Sequence, residues 1–194
     1  MSQTEILMVR HPETQANVSG RLVGRGHSPY TRIGLRQLRR VPKKIAAFGP
    51  QTVWSSPLER AHRLAARAAR VAGVPLIVDE RLLELDFGDA EGLTFEEIAE
   101  ASMTFDYVSL DLPVAPGGES RGSIERRTAA FCDELVATGG RHAVVTHGGV
   151  VRAALVHLLG FESTDIWAFH IHNTQLAHVR IIDGHGRLEE YVQG

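Results

Sequence analysis

Along this chain, short apolar runs alternate with segments whose apolar positions recur every three to four residues. The first run, residues 6–9 (ILMV), predicts a strand that ends on Arg10-His11. Thr31 is placed to cap a helix running to about residue 48. TVWSS (52–56) predicts a second strand, and Pro57 suits the first turn of a helix reaching residue 72. PLIVD (75–79) predicts a third, short strand. Thr94 and Glu97 have capping-box spacing ahead of a helix containing Ile98, and a further helix is expected from residue 121 to about 138. HAVVTHGG (142–149) reads as a buried strand that ends on His147 and two glycines, followed by a helix over 150–159. IWAFHI (166–171) and TQLAHVRII (174–182) predict two late strands that could pair as a hairpin. Strands alternating with helices predict an α/β fold with a mostly parallel sheet. Residues from about 87 to 120 break the alternation and are expected to form an excursion over one end of that sheet.

A chain of 194 residues without repeats or long linkers is expected to form one domain, 1–194, with a full core. The net charge of -2 argues against nucleic acid or an anionic membrane as partner. The charge is unevenly spread, however. From residue 10 to 44 nine arginines and lysines face one acid, Glu13, whereas from 79 to 119 Arg81 is the one cation. These segments are either two solvated faces of opposite sign, or the early arginines line an anion site. The single cysteine, Cys132, lies in a helical pattern and reads as a buried free thiol. With no signal-like or membrane-spanning apolar stretch, a cytoplasmic location is the default expectation.

In open α/β sheets, ligands bind at the carboxyl ends of the strands. Three such ends carry chemistry here: Arg10-His11, the SSPLER segment with Arg60, and His147-Gly148-Gly149. Each alone is an ordinary strand end. Together they meet the needs of phosphoryl transfer. A neutral imidazole is a nucleophile, guanidinium forks match phosphate oxygens, and glycines at a helix start present free N–H groups to an anion. A proton donor for the leaving alkoxide would come from RLLELDFGDAEG, where Glu84, Asp86, Asp89 and Glu91 are equal candidates by spacing.

RHPET followed by Asn17, GRLVGRGHSPYTRIG, SSPLERA, ELDFGDAEG, PGGES and VVTHGG, in that order from about residue 5 to 175, resemble the histidine phosphatase superfamily. This is the family of the cofactor-dependent phosphoglycerate mutases and many small phosphatases. The resemblance implies a three-layer α/β/α sandwich with a helical excursion above the site. It implies His11 as the nucleophile that becomes phosphohistidine, with Arg10, Arg60 and His147 completing the phosphate pocket. Thr14, Asn17 and the Gly148 N–H would lie near the phosphate, and Arg21 would contact substrate. Glu84, four residues before Gly88, matches the proton donor. Neither cofactor nor metal is implied.

Three positions depart from the family pattern. Pro12 replaces the usual glycine after the nucleophile, and His27 and Tyr30 replace an aspartate and a leucine. Arg21, His27, Tyr30, Phe87, Phe105, Tyr107, Glu119 and Ser120 are candidate substrate-rim residues. The family's mutases are longer, with an insertion and a C-terminal tail over the site. The expected activity is therefore hydrolysis of a small phosphorylated metabolite, with phosphoglycerate mutase as the alternative. A non-catalytic phosphate-binding domain would have lost the nucleophile or an arginine, and none is lost here. A metal hydrolase, suggested by ten histidines and by His170 and His172 on one strand face, lacks zinc-site spacing. A homodimer is left open.

Overall fold

The computed structural model describes residues 3–194. Six strands form one sheet: β1 (Thr4–Arg10), β2 (Thr52–Ser55), β3 (Leu76–Val78), β4 (Gly140–Thr146), β5 (Gln175–Ile182) and β6 (His185–Gln193). Their order is β3-β2-β4-β1-β5-β6. The first four are parallel, and β5 and β6 join antiparallel at one side.

Strand alternation explains the layers. In β1, Leu7 and Val9 face a core built with α2 (Arg32–Ala47) and α3 (Glu59–Ala72). Ile6 and Met8 face the opposite core, shared with α5 (Arg121–Thr138) and α6 (Gly148–Leu159). All four side chains are at most 3% exposed, which buries both faces of the central strand and stabilises each side chain by roughly 1.5–3 kcal/mol. The result is the expected α/β/α sandwich. Two short helices, α1 (Gln15–Ser19) and α4 (Phe95–Glu100), belong to the loops above the carboxyl ends of the strands.

The expected capping works as read. Thr31 Oγ1 accepts from the Gly34 N–H, and Thr94 and Glu97 form a reciprocal capping box. Pro57 falls outside its helix, because α3 begins at Glu59 with Leu58 as its cap. The helix expected over 150–159 starts two residues earlier, directly after His147.

The late hairpin is not the one expected. Residues 163–168 form a 3₁₀ helix, in which the Asp165 carboxylate accepts from the Glu162 N–H. Trp167 packs on Tyr107 with ring centroids 5.0 Å apart, so long-range packing overrides the strand-like composition of IWAFHI. His170 and His172 therefore do not alternate on a strand; they are exposed neighbours with centroids 4.3 Å apart. The partner of β5 is β6, joined to it through Asp183-Gly184 at φ 51° and 81°. That Asp-Gly pair was a legible hairpin signal. Cys132 is buried in α5, and burial pushes its thiol up to about 12.

Candidate active site

Sheet register brings the site together. β1 and β4 are neighbours, with Arg10 paired to Thr146, so His11 and His147 are the first residues past two adjacent strand ends. The His11 N–H donates to the Thr146 carbonyl (2.9 Å), and the Ser56 N–H donates to the Val145 carbonyl (3.1 Å). These bonds set the ends of β1, β4 and β2 at one height. The two imidazoles stand 5.3 Å apart, centroid to centroid.

The strand ends open into a cavity of about 630 Å³ lined in part by Arg10, His11, Asn17, Arg21, Glu84 and Gly148. Arg60, His147 and Thr14 do not line it; they are buried behind its wall. Arg60 is held there by the carbonyls of Val23, Gly24 and Gly26, to which its two terminal nitrogens donate. Thr14 Oγ1 donates to Asn17 Oδ1.

The ring of His11 has a defined role for each nitrogen. Nδ1 lies 2.7 Å from the Pro12 carbonyl, which can only accept, so Nδ1 carries the proton and Nε2 keeps its lone pair. Burial first, and then the Arg10 and Arg60 cations, hold this imidazole well below the ordinary histidine value. His147 is held well below it for the same reasons, again with burial leading and Arg60 next. Both rings are therefore neutral at pH 7. Pro12 sits in the turn without displacing His11, and its carbonyl supplies the bond that orients the ring.

Two buried donors around this centre have no partner among the described residues, Arg10 Nε and His147 Nδ1. Ser56 Oγ accepts from the Leu58 N–H and lies 2.7 Å from His147 Nε2; where its O–H donates to that nitrogen, the His147 proton sits on Nδ1. Buried orphan donors are costly, and an anion in the cavity would satisfy the one on Arg10, which lines it. Asn17 adds a third donor. Its Oδ1 accepts from Thr14 N, Thr14 Oγ1 and Asn173 Nδ2, which leaves its amide nitrogen free on the cavity wall.

Geometry also separates the four carboxylates. Glu91 accepts from the Gly24 and Gly26 N–H groups and ties two loops together. Asp86 accepts from the Gly88 N–H. Asp89 does not line the cavity. Glu84 alone does, with its carboxylate accepting from Leu85 N (3.0 Å) and Gly149 N (3.2 Å). Arg127 supports this segment by donating to the Glu84 carbonyl while paired with Glu119. Gly88 is required where it stands. Its φ is 52°, and a Cβ there would lie 2.2 Å from the Pro116 carbonyl.

Gly149 is the second glycine with a steric reason, since a Cβ there would approach Glu84 Oε1 to 2.4 Å. Gly149→Ala is expected to leave the fold standing, because a side-chain tip can move. It should displace Glu84; with Glu84 as the proton donor that the family resemblance implies, kcat would fall about 10- to 100-fold. An unchanged kcat with an unchanged melting temperature would show that Glu84 needs no such bond.

Several rim expectations fail. His27 and Tyr30 line a separate hollow of about 260 Å³ with Glu59, Arg60 and Arg63. Tyr30 Oη donates to the Arg60 carbonyl, and His27 Nδ1 lies 3.3 Å from Glu59. Both substitutions thus affect the far side of Arg60 and not the cavity. Glu119 is consumed by Arg127 and Ser123, and Ser120 caps α5. Sequence reasoning missed Arg152, Phe95 and Trp167 on the cavity wall, and Asn173 behind it. Arg152 was findable, one helical turn after Gly148 on the same face of α6. Among the described residues, no three His, Cys, Asp or Glu side chains gather as a metal-holding group, and no helix is long and apolar enough to cross a membrane.

A family model described as the histidine phosphatase superfamily (branch 1) matches residues 6–193. The chain belongs to the histidine phosphatase superfamily. It is 33% identical over 163 residues to the metal-independent phosphoserine phosphatase of Arabidopsis thaliana, covering 80% of this chain and 68% of that one. It is 34% identical over 173 residues to a bifunctional protein of Mycobacterium tuberculosis, covering 87% of this chain and 48% of that protein, about half its length. The solved structure of mycobacterial glucosyl-3-phosphoglycerate phosphatase superposes with a TM-score of 0.84 at 25% identity, covering 99% of this chain and 100% of that one. Within the superfamily these phosphatase relatives support phosphomonoesterase activity for this chain.

Proposed function

We propose that this protein is a metal-independent phosphomonoesterase that works through a phosphohistidine on His11. The supporting observation is the His11 imidazole itself: Nδ1 held by the Pro12 carbonyl, Nε2 unprotonated on the cavity wall, and buried donors around it without partners.

The steps follow from these positions. Arg10 and the Asn17 amide bind the phosphoryl oxygens from the cavity wall, with the Arg60 charge and the His147 ring behind them. The Nε2 lone pair attacks phosphorus as the P–O bond to the alcohol breaks. Glu84, as a carboxylic acid, gives its proton to the departing oxygen. Positive charge develops on the ring, and the Nδ1–H bond to the Pro12 carbonyl stabilises it. Glu84, now a carboxylate, takes a proton from water as that water attacks phosphorus. The N–P bond breaks, its electron pair returns to Nε2, and inorganic phosphate leaves.

The substrate is a small phosphorylated metabolite, and no residue of this scheme requires a cofactor. The direct test is the fate of the phosphoryl group after exhaustive EDTA treatment. Stoichiometric release of inorganic phosphate from a phosphomonoester at an unchanged rate is expected. Transfer between phosphoglycerate hydroxyls without free phosphate would make the protein a mutase, and loss of activity on chelation would demand a metal.

A further inference from the structure

The part of the cavity beyond the phosphoryl centre is built from aromatic rings. Phe87, Phe95, Phe105, Tyr107 and Trp167 all line it. They form one continuous arc. Phe95 meets Phe105 edge-on at 5.5 Å, Phe87 and Phe105 stack at 6.4 Å, Phe105 and Tyr107 stack at 6.3 Å, and Tyr107 meets Trp167 at 5.0 Å. The rings come from two separate stretches of chain. Residues 87–107 lie in the excursion, Phe95 opens α4, and Trp167 sits on the 3₁₀ helix before β5. Leu22 and Val23 add apolar surface.

Two of these rings are 62% (Phe95) and 58% (Trp167) exposed. Core packing does not account for leaving large aromatics open at the mouth of a cavity, whereas a ligand would cover them. The polar inventory of this region is short. Arg21 is already committed, with bonds to both oxygens of Glu97 and to the Gly92 carbonyl. Arg152 donates Nε to the Phe169 carbonyl and lies 5.2 Å over the Trp167 ring. Among the described residues, no carboxylate other than Glu84 lines the cavity. A substrate ammonium would find no anionic partner except the proton donor, and it would face Arg10, Arg21 and Arg152.

We infer that the preferred substrates are phosphomonoesters of alcohols that carry no cationic group and bear a planar aromatic ring, the ring stacking within the Phe95–Phe105–Tyr107–Trp167 arc. This rests on the phosphatase reading above and narrows it. It separates this chain from relatives named for phosphoserine, whose leaving group carries an ammonium and a carboxylate on a short chain.

The test compares kcat/KM for 2-phenylethyl phosphate, ethyl phosphate, O-phosphoserine and phosphocholine. All are alkyl esters, so differences in leaving-group chemistry are small beside differences in contact. 2-Phenylethyl phosphate is expected to exceed ethyl phosphate and phosphoserine by about 30-fold, the scale of a well-filled aromatic contact. Trp167→Ala, and separately Phe95→Ala, should each cut the phenylethyl-to-ethyl ratio by about tenfold; because Trp167 also anchors the 3₁₀ segment on Tyr107, a melting temperature is taken for each variant, and Phe95→Ala carries the test where Trp167→Ala is destabilised. Equal values for ethyl and phenylethyl esters, a preference for phosphoserine or phosphocholine, or a ratio untouched by both variants would overturn the inference while leaving a phosphatase. No hydrolysis of any ester by the wild-type protein would overturn the phosphatase reading, and this inference with it.

Discussion

His11→Ala is expected to lower turnover of any phosphomonoester by at least about 10⁴-fold, with no phosphoenzyme left in acid-quenched, ³²P-labelled samples. The magnitude follows from the absence of a substitute. His147 is the nearest imidazole, 5.3 Å away, but it is fully buried and its Nε2 is engaged by Ser56. The fold should tolerate the change. The side chain's hydrogen bond reaches only the next residue's carbonyl, and the backbone bond to Thr146 remains. A melting temperature within a few degrees of wild type would establish that activity, not folding, was lost. Turnover within tenfold of wild type would remove His11 from the mechanism.

Glu84→Gln is expected to cost about 10²- to 10⁴-fold on alkyl phosphates, because the alkoxide must be protonated as it leaves. The amide can still accept the Gly149 N–H bond that the carboxylate accepts, so the variant isolates proton transfer from positioning. An aryl ester such as 4-nitrophenyl phosphate discriminates further. Its phenolate leaves without a proton, so phosphorylation of His11 should stay fast while attack by water on the phosphohistidine, which needs the carboxylate as base, slows. A burst of one 4-nitrophenolate per active site followed by slow turnover is the expected trace. Equal, small losses on alkyl and aryl esters without a burst would leave the proton donor unassigned.

Much of the scaffold could be read along the chain because it depends on near neighbours. The continuous burial of Ile6 to Val9, the Thr31 and Thr94 caps and the apolar run of β4 are decided by residues within one or two turns of each other. The same holds for the candidate phosphate residues, since Arg10-His11 and His147-Gly148 are strand ends whose chemistry shows locally. Where the reading failed, distant contacts had won. IWAFHI has strand composition, but its first three residues coil into the end of a 3₁₀ helix as Trp167 packs on Tyr107, sixty residues earlier in number. β6 is half-exposed and carries a weak alternation, so only its Asp-Gly turn marked it.

By itself the sequence determined the alternating α/β scaffold and the set of groups able to carry phosphoryl chemistry. The tertiary structure decided which of them meet. Register between β1 and β4 sets His11 beside His147, and a Gly149 N–H bond across 65 residues selects Glu84 from four equivalent acids. It also decided that Arg60 and His147 lie behind the wall, that His27 and Tyr30 belong to another hollow, and that five scattered aromatics share one cavity. The physical reason is common to all of these. Strand and helix signals are short-range, whereas a site is a set of hydrogen bonds, steric approaches and ring contacts that exists only once loops from remote parts of the chain are held over the strand ends.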